Sequence, residues 1–266
     1  MNLDFFKGGA EDSPRVMLVS PHPDDEVIGA GTRLPLLKAA TVVEVTDGSP
    51  SDLKDAKGAG LETREAYAST RDKELRRALA LCGIENVVGL GIPDQEASFH
   101  LVELVRRLRE LIVNIGPEVL VTVPYEGGHP DHDATAFGVH LACEHLEDWQ
   151  KPAIVEMLAY HNNNGRCEMA SFLTETRESF VEIDLNPKER EFKRQLFDCF
   201  PSQEAVLRWF PIEVEKFRIA PQYDFSQPPH LGQLYYEMFP WGMKSGHWND
   251  LAKAALWELR PLIEHV

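Results

Sequence analysis

Five short apolar runs alternate with helix-like stretches up to residue 160, and no other feature constrains the fold as much. The runs are 15–20 (RVMLVS), 41–46 (TVVEVT), 86–91 (NVVGLG), 118–124 (EVLVTVP) and 153–160 (AIVEMLAY). Each is too short for a core helix, is rich in Val, Leu or Ile, and stops at polar or turn-forming residues, as strands buried on both faces do. Between them lie 27–40, a helical stretch flawed by Pro35, then 60–83, which ends at Gly83, the amphipathic 98–115, closed by Gly-Pro, and a helix after the loop that begins at Glu126. Strand–helix alternation implies right-handed βαβ units and an α/β fold with a mostly parallel central sheet.

The last hundred residues break the pattern. Residues 179–185 (SFVEIDL) read as one more strand, and 186–200 as a helix with Asn186 as N-cap and Pro187 at its first position. Pro- and aromatic-rich segments follow, then a closing helix over 248–266. No repeat, low-complexity tract or linker divides the chain. The expectation is one domain over 1–266, with a core at about 15–160 and a C-terminal α+β lobe at about 161–266 built onto the sheet.

Composition removes several function classes. A formal charge of −16 repels nucleic acid and anionic lipid. No run of 18 apolar residues exists, so no membrane insertion is expected, and residues 1–15 carry acids with no apolar signal segment. Four scattered cysteines form no CxxC pair and fit buried thiols in a reducing, cytoplasmic setting.

Two clusters carry the chemistry. PHPDDE (21–26) directly follows the first strand and HPDH (129–132) follows the fourth. If the strand order is 3-2-1-4-5, it reverses between strands 1 and 4, and both clusters open into the crevice there. His22 and Asp25 are spaced i,i+3, as are His129 and His132. Imidazole and carboxylate donors suit Zn²⁺, and a catalytic zinc takes three protein ligands with one position left open. Asp24 and Asp25 are neighbours whose side chains diverge in a turn, so one can hold the ion while the other reaches the attacking water. Each cluster alone has a plain structural reading: a turn, an N-cap with a solvated neighbour, a helix start. Their joint placement after two strands favours a metal site. The GAG at 29–31 lacks the third small residue of a dinucleotide loop, since Leu34 stands there. His140 and His145 read as surface or packing groups, and His161 as facing the crevice. The aromatic run 234–241 (LYYEMFPW) reads as core or subunit interface before sugar stacking, which leaves a homo-oligomer open.

With these motifs in view, the chain resembles the PIG-L/LmbE family of zinc-dependent N-deacetylases, over most of its length. The resemblance implies a Rossmann-like three-layer fold and removal of an acetyl group from an N-acetylglucosamine-type sugar or conjugate, a small-molecule partner. It implies His22, Asp25 and His132 as zinc ligands, though the same donors would accept Fe²⁺ or another divalent ion. Asp24 would be the general base, His129 would steady the oxyanion or protonate the leaving amine, and Asp131 would orient a histidine. The segment RDKELRRALALCGI (71–84) is similar to a family helix and suggests Arg71 as a substrate-binding residue, with Glu74 structural. GIPD (91–94) suggests Asp94 on the sugar, and PSQ (201–203) resembles a further, structural family element. Glu26 would cap the following helix or hold His22 from behind. One departure stands out: Gly127 occupies a position where some members carry a tyrosine that supports the oxyanion, with Tyr125 and Tyr160 as the substitutes in reach. Two other readings compete: an amidase cutting a bulkier N-acyl or thiol-conjugate amide, and a non-catalytic sugar- or nucleotide-binding module.

Overall fold

β1 (Val16–Ser20) is buried at every position and is the middle one of five parallel strands in the sheet. In the computed structural model, which describes residues 3–8, 14–37, 39–174 and 180–263, side chains of β1 alternate between two cores. Met17 and Val19 enter one, and Val16 and Leu18 the other. Burying a side chain of this size contributes about 1.5–3 kcal/mol, so the run fixes which face each neighbouring helix must cover.

The sequence then lays down α1 (Asp25–Ala30), β2 (Thr41–Pro50), α2 (Lys54–Gly58), α3 (Arg64–Leu81), β3 (Asn86–Asp94), α4 (Leu101–Ile115), β4 (Val119–Thr122), α5 (Pro130–Glu144) and β5 (Ala153–Met157). These five strands are parallel, as the alternation implied, and take the order β3-β2-β1-β4-β5, the order under which the two clusters share a crevice. Helices α4 and α5 pack on the core holding Met17 and Val19, and α1 and α3 on the core holding Val16 and Leu18. Helix α4 buries Leu101, Leu104, Val105, Leu108 and Ile112, a stripe at helical spacing, and Gly116 ends it in a left-handed conformation.

Past β5 come a short hairpin, β6 (His161–Asn163) and β7 (Arg166–Glu168), then β8 (Phe180–Asp184), α6 (Pro187–Phe197), α7 (Glu204–Leu207), β9 (Val214–Ile219) and α8 (Ser245–Ile263). β9 pairs antiparallel with β5, and β8 with β9, so the sheet runs to seven strands among the described residues. Helix α6 opens with the expected Asn186 cap, closed into a capping box by Glu189. Residue 179 of the expected sixth strand and residues 264–266 of the closing helix lie outside the described residues. Among the described residues, no helix is long and apolar enough to cross a membrane.

Two local expectations fail for physical reasons. The helix expected over 27–40 stops at Ala30, and only a 3₁₀ turn at Leu34–Leu36 follows. Two glycines lower helix propensity there and Pro35 supplies no amide. β2 and β3 extend to Pro50 and Asp94, beyond the expected ends at 46 and 91, through irregular pairing that brings Pro50 opposite Asp94. That extension carries Asp94 to the mouth of the crevice.

Candidate metal centre and active site

The loop after β1 and the start of α5 meet where the strand order reverses. Pro21 is fixed to β2, its carbonyl accepting from the backbone amide of Thr46 at 2.9 Å and the Thr46 hydroxyl at 2.8 Å. The chain then turns into α1 through Asp24, whose φ of 141° lies in a region that L-residues rarely adopt. Strain of this kind costs about 1–3 kcal/mol and persists only where the surroundings impose it. Here Glu26 accepts from the Asp24 amide at 2.9 Å, and Arg71 from α3 donates to both the Pro23 carbonyl and the Asp24 carboxylate.

His129 caps α5: its Nδ1 accepts from the Asp131 amide at 3.1 Å, with Pro130 at the first helical position. This places His129 and His132 one turn apart on the crevice side. The Asp131 carboxylate accepts from the amides of Gln95 at 2.6 Å and Ala97 at 3.0 Å, tying the end of β3 to the start of α5. Asp133, one residue past the motif, accepts from the Gly127 amide at 2.9 Å and shapes the loop ahead of His129. That loop has no room for side chains. Gly127 has φ +71° and a Cβ there would meet Leu234 at 2.8 Å, while a Cβ on Gly128 would meet the Tyr160 carbonyl oxygen at 2.1 Å.

The expected residues converge. Asp25 Oδ2 lies 3.0 Å from His22 Nδ1 and 3.1 Å from His132 Nε2. His22 Nε2 lies 3.0 Å from Asp94 Oδ1 and 3.2 Å from Asp131 Oδ2, and His129 Nε2 lies 3.9 Å from Asp94 Oδ1. Two overlapping groups have their potential ligand atoms within 4.8 Å of one another: His22, Asp25 and His132, and His22, Asp94, His129 and Asp131. The donor set fits a divalent ion. His132 is buried and neither ring nitrogen has a hydrogen bond, and an ion would satisfy a lone pair that the protein leaves unused.

Charge is arranged unevenly. Burial pushes the Asp24 carboxyl up to about 6, with Arg71 pulling it down and Asp25 adding to the rise. Burial would also raise Asp25, but His132 and His22 together hold it below the usual carboxylate range. Asp94 is likewise held low by His22 against the effect of burial. Burial and the neighbouring His22 keep His129 well below the usual imidazole range. Behind the centre, burial and Asp24 push Glu26 up to about 8, and burial and Glu26 push Glu44 of β2 well above its ordinary range.

Placement bears on the individual expectations. Arg71 is buried beside Asp24, its Nη2 donating to the Asp24 carboxylate and the Pro23 carbonyl while its Nε and Nη1 make no hydrogen bond. Glu26 turns back on the Asp24 amide at the start of α1. Asp94 lies among the histidines themselves. Glu74 accepts from the Ser202 amide at 3.0 Å, joining α3 to the PSQ turn. Of the two tyrosines, Tyr125 is core: its hydroxyl donates to the Gln227 carbonyl at 2.8 Å and its ring packs on Phe225 and Trp248. Tyr160 instead sets its ring 5.1 Å from that of His132. His161 is buried 3.5 Å from Glu126, and His140 is buried against Tyr223 and Phe225. Glu44 and Asp133 went unread in the sequence. The available signals were a carboxylate inside an otherwise apolar strand and a second acid directly after HPDH.

Residues 17–143 match the PIG-L family model, described as GlcNAc-PI de-N-acetylase. The chain is 32% identical over 143 residues to a Bacillus cereus protein named probable N-acetyl-alpha-D-glucosaminyl L-malate deacetylase 2, covering 52% of this chain and 65% of that protein. It is 30% identical over 153 residues to the protein of the same name from Bacillus anthracis, covering 56% and 67%. The matched stretch thus spans about two thirds of these relatives. Among solved structures, the A40926 pseudoaglycone deacetylase Dbv21 superposes with a TM-score of 0.61 at 20% identity, covering 80% of this chain and 99% of that one, which shows a shared fold.

Proposed function

The chain belongs to the PIG-L family of de-N-acetylases, and on that premise we propose that it is a metal-dependent hydrolase that removes the acetyl group from an N-acetylglucosamine-type sugar or conjugate. The observation that carries this reading is the approach of Asp25 to both His22 and His132 with Asp24 alongside. His22, Asp25 and His132 would hold the ion, which we take as zinc, the same donors suiting Fe²⁺. When bound, the ion supplies a Lewis acid for the acetyl carbonyl and lowers the pKa of water at the site.

The chain's own residues divide the remaining work. Asp24, with its carboxyl pushed up to about 6, is mostly ionised at neutral pH yet basic enough to accept the proton of the attacking water. His129 accepts at Nδ1 from the Asp131 amide, so its proton resides on Nε2, which faces the centre. A neutral imidazole with a fixed N–H is a donor to an oxyanion and a poor acid. This supports His129 as the oxyanion donor and Asp24 as the group that returns the proton to the departing amine. Asp131 holds the end of β3 and the cap of α5 in one piece. The test is acetate release from a panel of N-acetylglucosamine compounds by zinc-loaded and chelator-treated protein. Metal-dependent release is expected. Release that persists at full rate after verified metal removal would overturn the reading.

A further inference from the structure

The aromatic run at 234–241 divides its residues between two tasks. Leu234 and Tyr236 are buried in the core with Met243 and Trp248. Tyr235, Phe239 and Trp241 are half-buried and turn toward the metal centre. The segment is built in: the Tyr235 amide donates to the Gly127 carbonyl at 2.9 Å, and Glu237 accepts from the amides of Leu234 and Ser245, each at 2.9 Å. Leu234 fills the space a side chain at position 127 would need. The departure at Gly127 and the presence of this segment are therefore one structural fact.

The rings form a closed circuit with the two histidines of HPDH. The Trp241 ring lies 4.6 Å from that of His129 and stacks on Phe239 at 4.5 Å. Phe239 meets Tyr235 at 5.1 Å, and Tyr235 meets Tyr160 at 5.7 Å. Tyr160 meets His132 at 5.1 Å, and His132 meets His129 at 5.6 Å. Outward, Met238 is 45% exposed beside these rings in the chain, and Phe210, 5.8 Å from Tyr160, is also a wall of a cleft of about 600 Å³. The charge around this wall does not favour an anion. Beyond burial, the carboxylates of Asp25 and Asp24 both oppose ionisation of the Tyr160 hydroxyl, and Arg71, the cation whose field reaches Asp24 and Asp94, is buried with its Nη2 held by Asp24 and Pro23.

We infer that Trp241, Phe239, Tyr235 and Tyr160 form a recognition wall for an aromatic or otherwise flat apolar group on the amine side of the scissile amide, so that the substrate is an N-acetylated amino sugar carrying an apolar aglycone rather than an anionic one. The inference rests on the deacetylase reading, because an acetyl group on the acyl side leaves only the amine side to contact the wall. Flat rings gain by offset or edge-on contact with such a wall, and an aliphatic acid does not.

The experiment separates this inference from the reading beneath it. Binding of N-acetylglucosamine, its phenyl glycoside and its malate glycoside is measured by calorimetry on zinc-loaded protein, and acetate release from the same three compounds is measured in parallel. The phenyl glycoside is expected to bind about tenfold or more tighter than the other two, and Trp241→Ala and Phe239→Ala, each checked for folding by circular dichroism, should shrink that ratio. Equal binding of all three, tighter binding of the malate glycoside, or a preference that survives both substitutions would overturn the wall whether or not acetate appears. Absence of acetate from every compound would count against the deacetylase reading alone, and the binding ratio would still decide the wall.

Discussion

Arg71 Nη2 lies 3.1 Å from Asp24 Oδ2, and the same guanidinium holds the Pro23 carbonyl beneath it. One buried cation from α3 thus fixes both the backbone and the charge of the proposed base. Burial raises the Asp24 carboxyl to about 6 even with Arg71 opposing it. Removing the cation must raise it further. Arg71→Met should therefore shift the acid limb of the activity profile to higher pH, with the largest loss near neutrality and partial recovery in alkali. A pH profile of kcat/KM checks this. An unshifted acid limb would mean that Arg71 does not act through Asp24.

Asp24 and Asp25 are neighbours with different surroundings, and their variants should separate. Asp25 contacts His22 and His132, so Asp25→Ala should lose bound metal in elemental analysis. Asp24→Ala should keep the metal and lose turnover by about 10²–10⁴-fold, the usual contribution of a general base. The φ of 141° at Asp24 adds a stability test. Glycine accepts that conformation and alanine does not, so Asp24→Gly should be more stable than Asp24→Ala by about 1 kcal/mol in urea. Both should be equally slow. A metal-free Asp24→Ala beside a metal-bound Asp25→Ala would reverse the assignment of the two carboxylates.

Gly128 sits where the loop to His129 passes under Tyr160. A methyl group there would lie 2.1 Å from the Tyr160 carbonyl oxygen, a backbone atom that cannot swing aside. Gly128→Ala should cost about 1–3 kcal/mol and reduce turnover by displacing His129. Gly89 has open space around its Cβ position and an ordinary φ, so Gly89→Ala is the control and should change stability little. Equal urea midpoints for the two variants would refute the close approach.

Much of this arrangement was legible in the sequence, for identifiable reasons. β1, β2 and β4 are apolar runs in the sheet interior, where pattern alone specifies a strand, and their parallel direction follows from βαβ geometry. PHPDDE and HPDH are local motifs, and the turn of α1 and the cap of α5 present their side chains within a few residues. β9 was not legible. Its sequence VEKFRI carries three charges, and they lie in the interior because each finds a partner: Glu215 with Lys193 at 3.1 Å, Lys216 with Glu182 at 2.8 Å and Arg218 with Glu156 at 2.7 Å. Pairing across strands and helices distant in sequence leaves no periodic signal. The commitment of Arg71 and the approach of Trp241 to His129 are hidden for the same reason, since each joins segments that only the closed fold brings together.

His140 gives a stability prediction independent of the metal centre. It lies on α5, two turns beyond His132, packed edge-on against Tyr223 and Phe225. Glu156, the carboxylate facing it at 3.9 Å, is already held by Arg218 and Tyr223. Burial lowers the His140 imidazole to about 4, against about 6.5 in an unfolded chain. Between those values the unfolded chain binds a proton that the native protein refuses. The stability present above about pH 6.5 therefore falls as pH falls, by at most about 1.4 kcal/mol per unit, and levels off below about 4. His140→Gln removes the titrating group. Its urea stability, measured from pH 7.5 to 4, should fall less steeply than that of the parent, the two curves differing in slope by up to one proton inside the window and running parallel above it. Parallel curves through the whole range would show that His140 titrates as an exposed imidazole does.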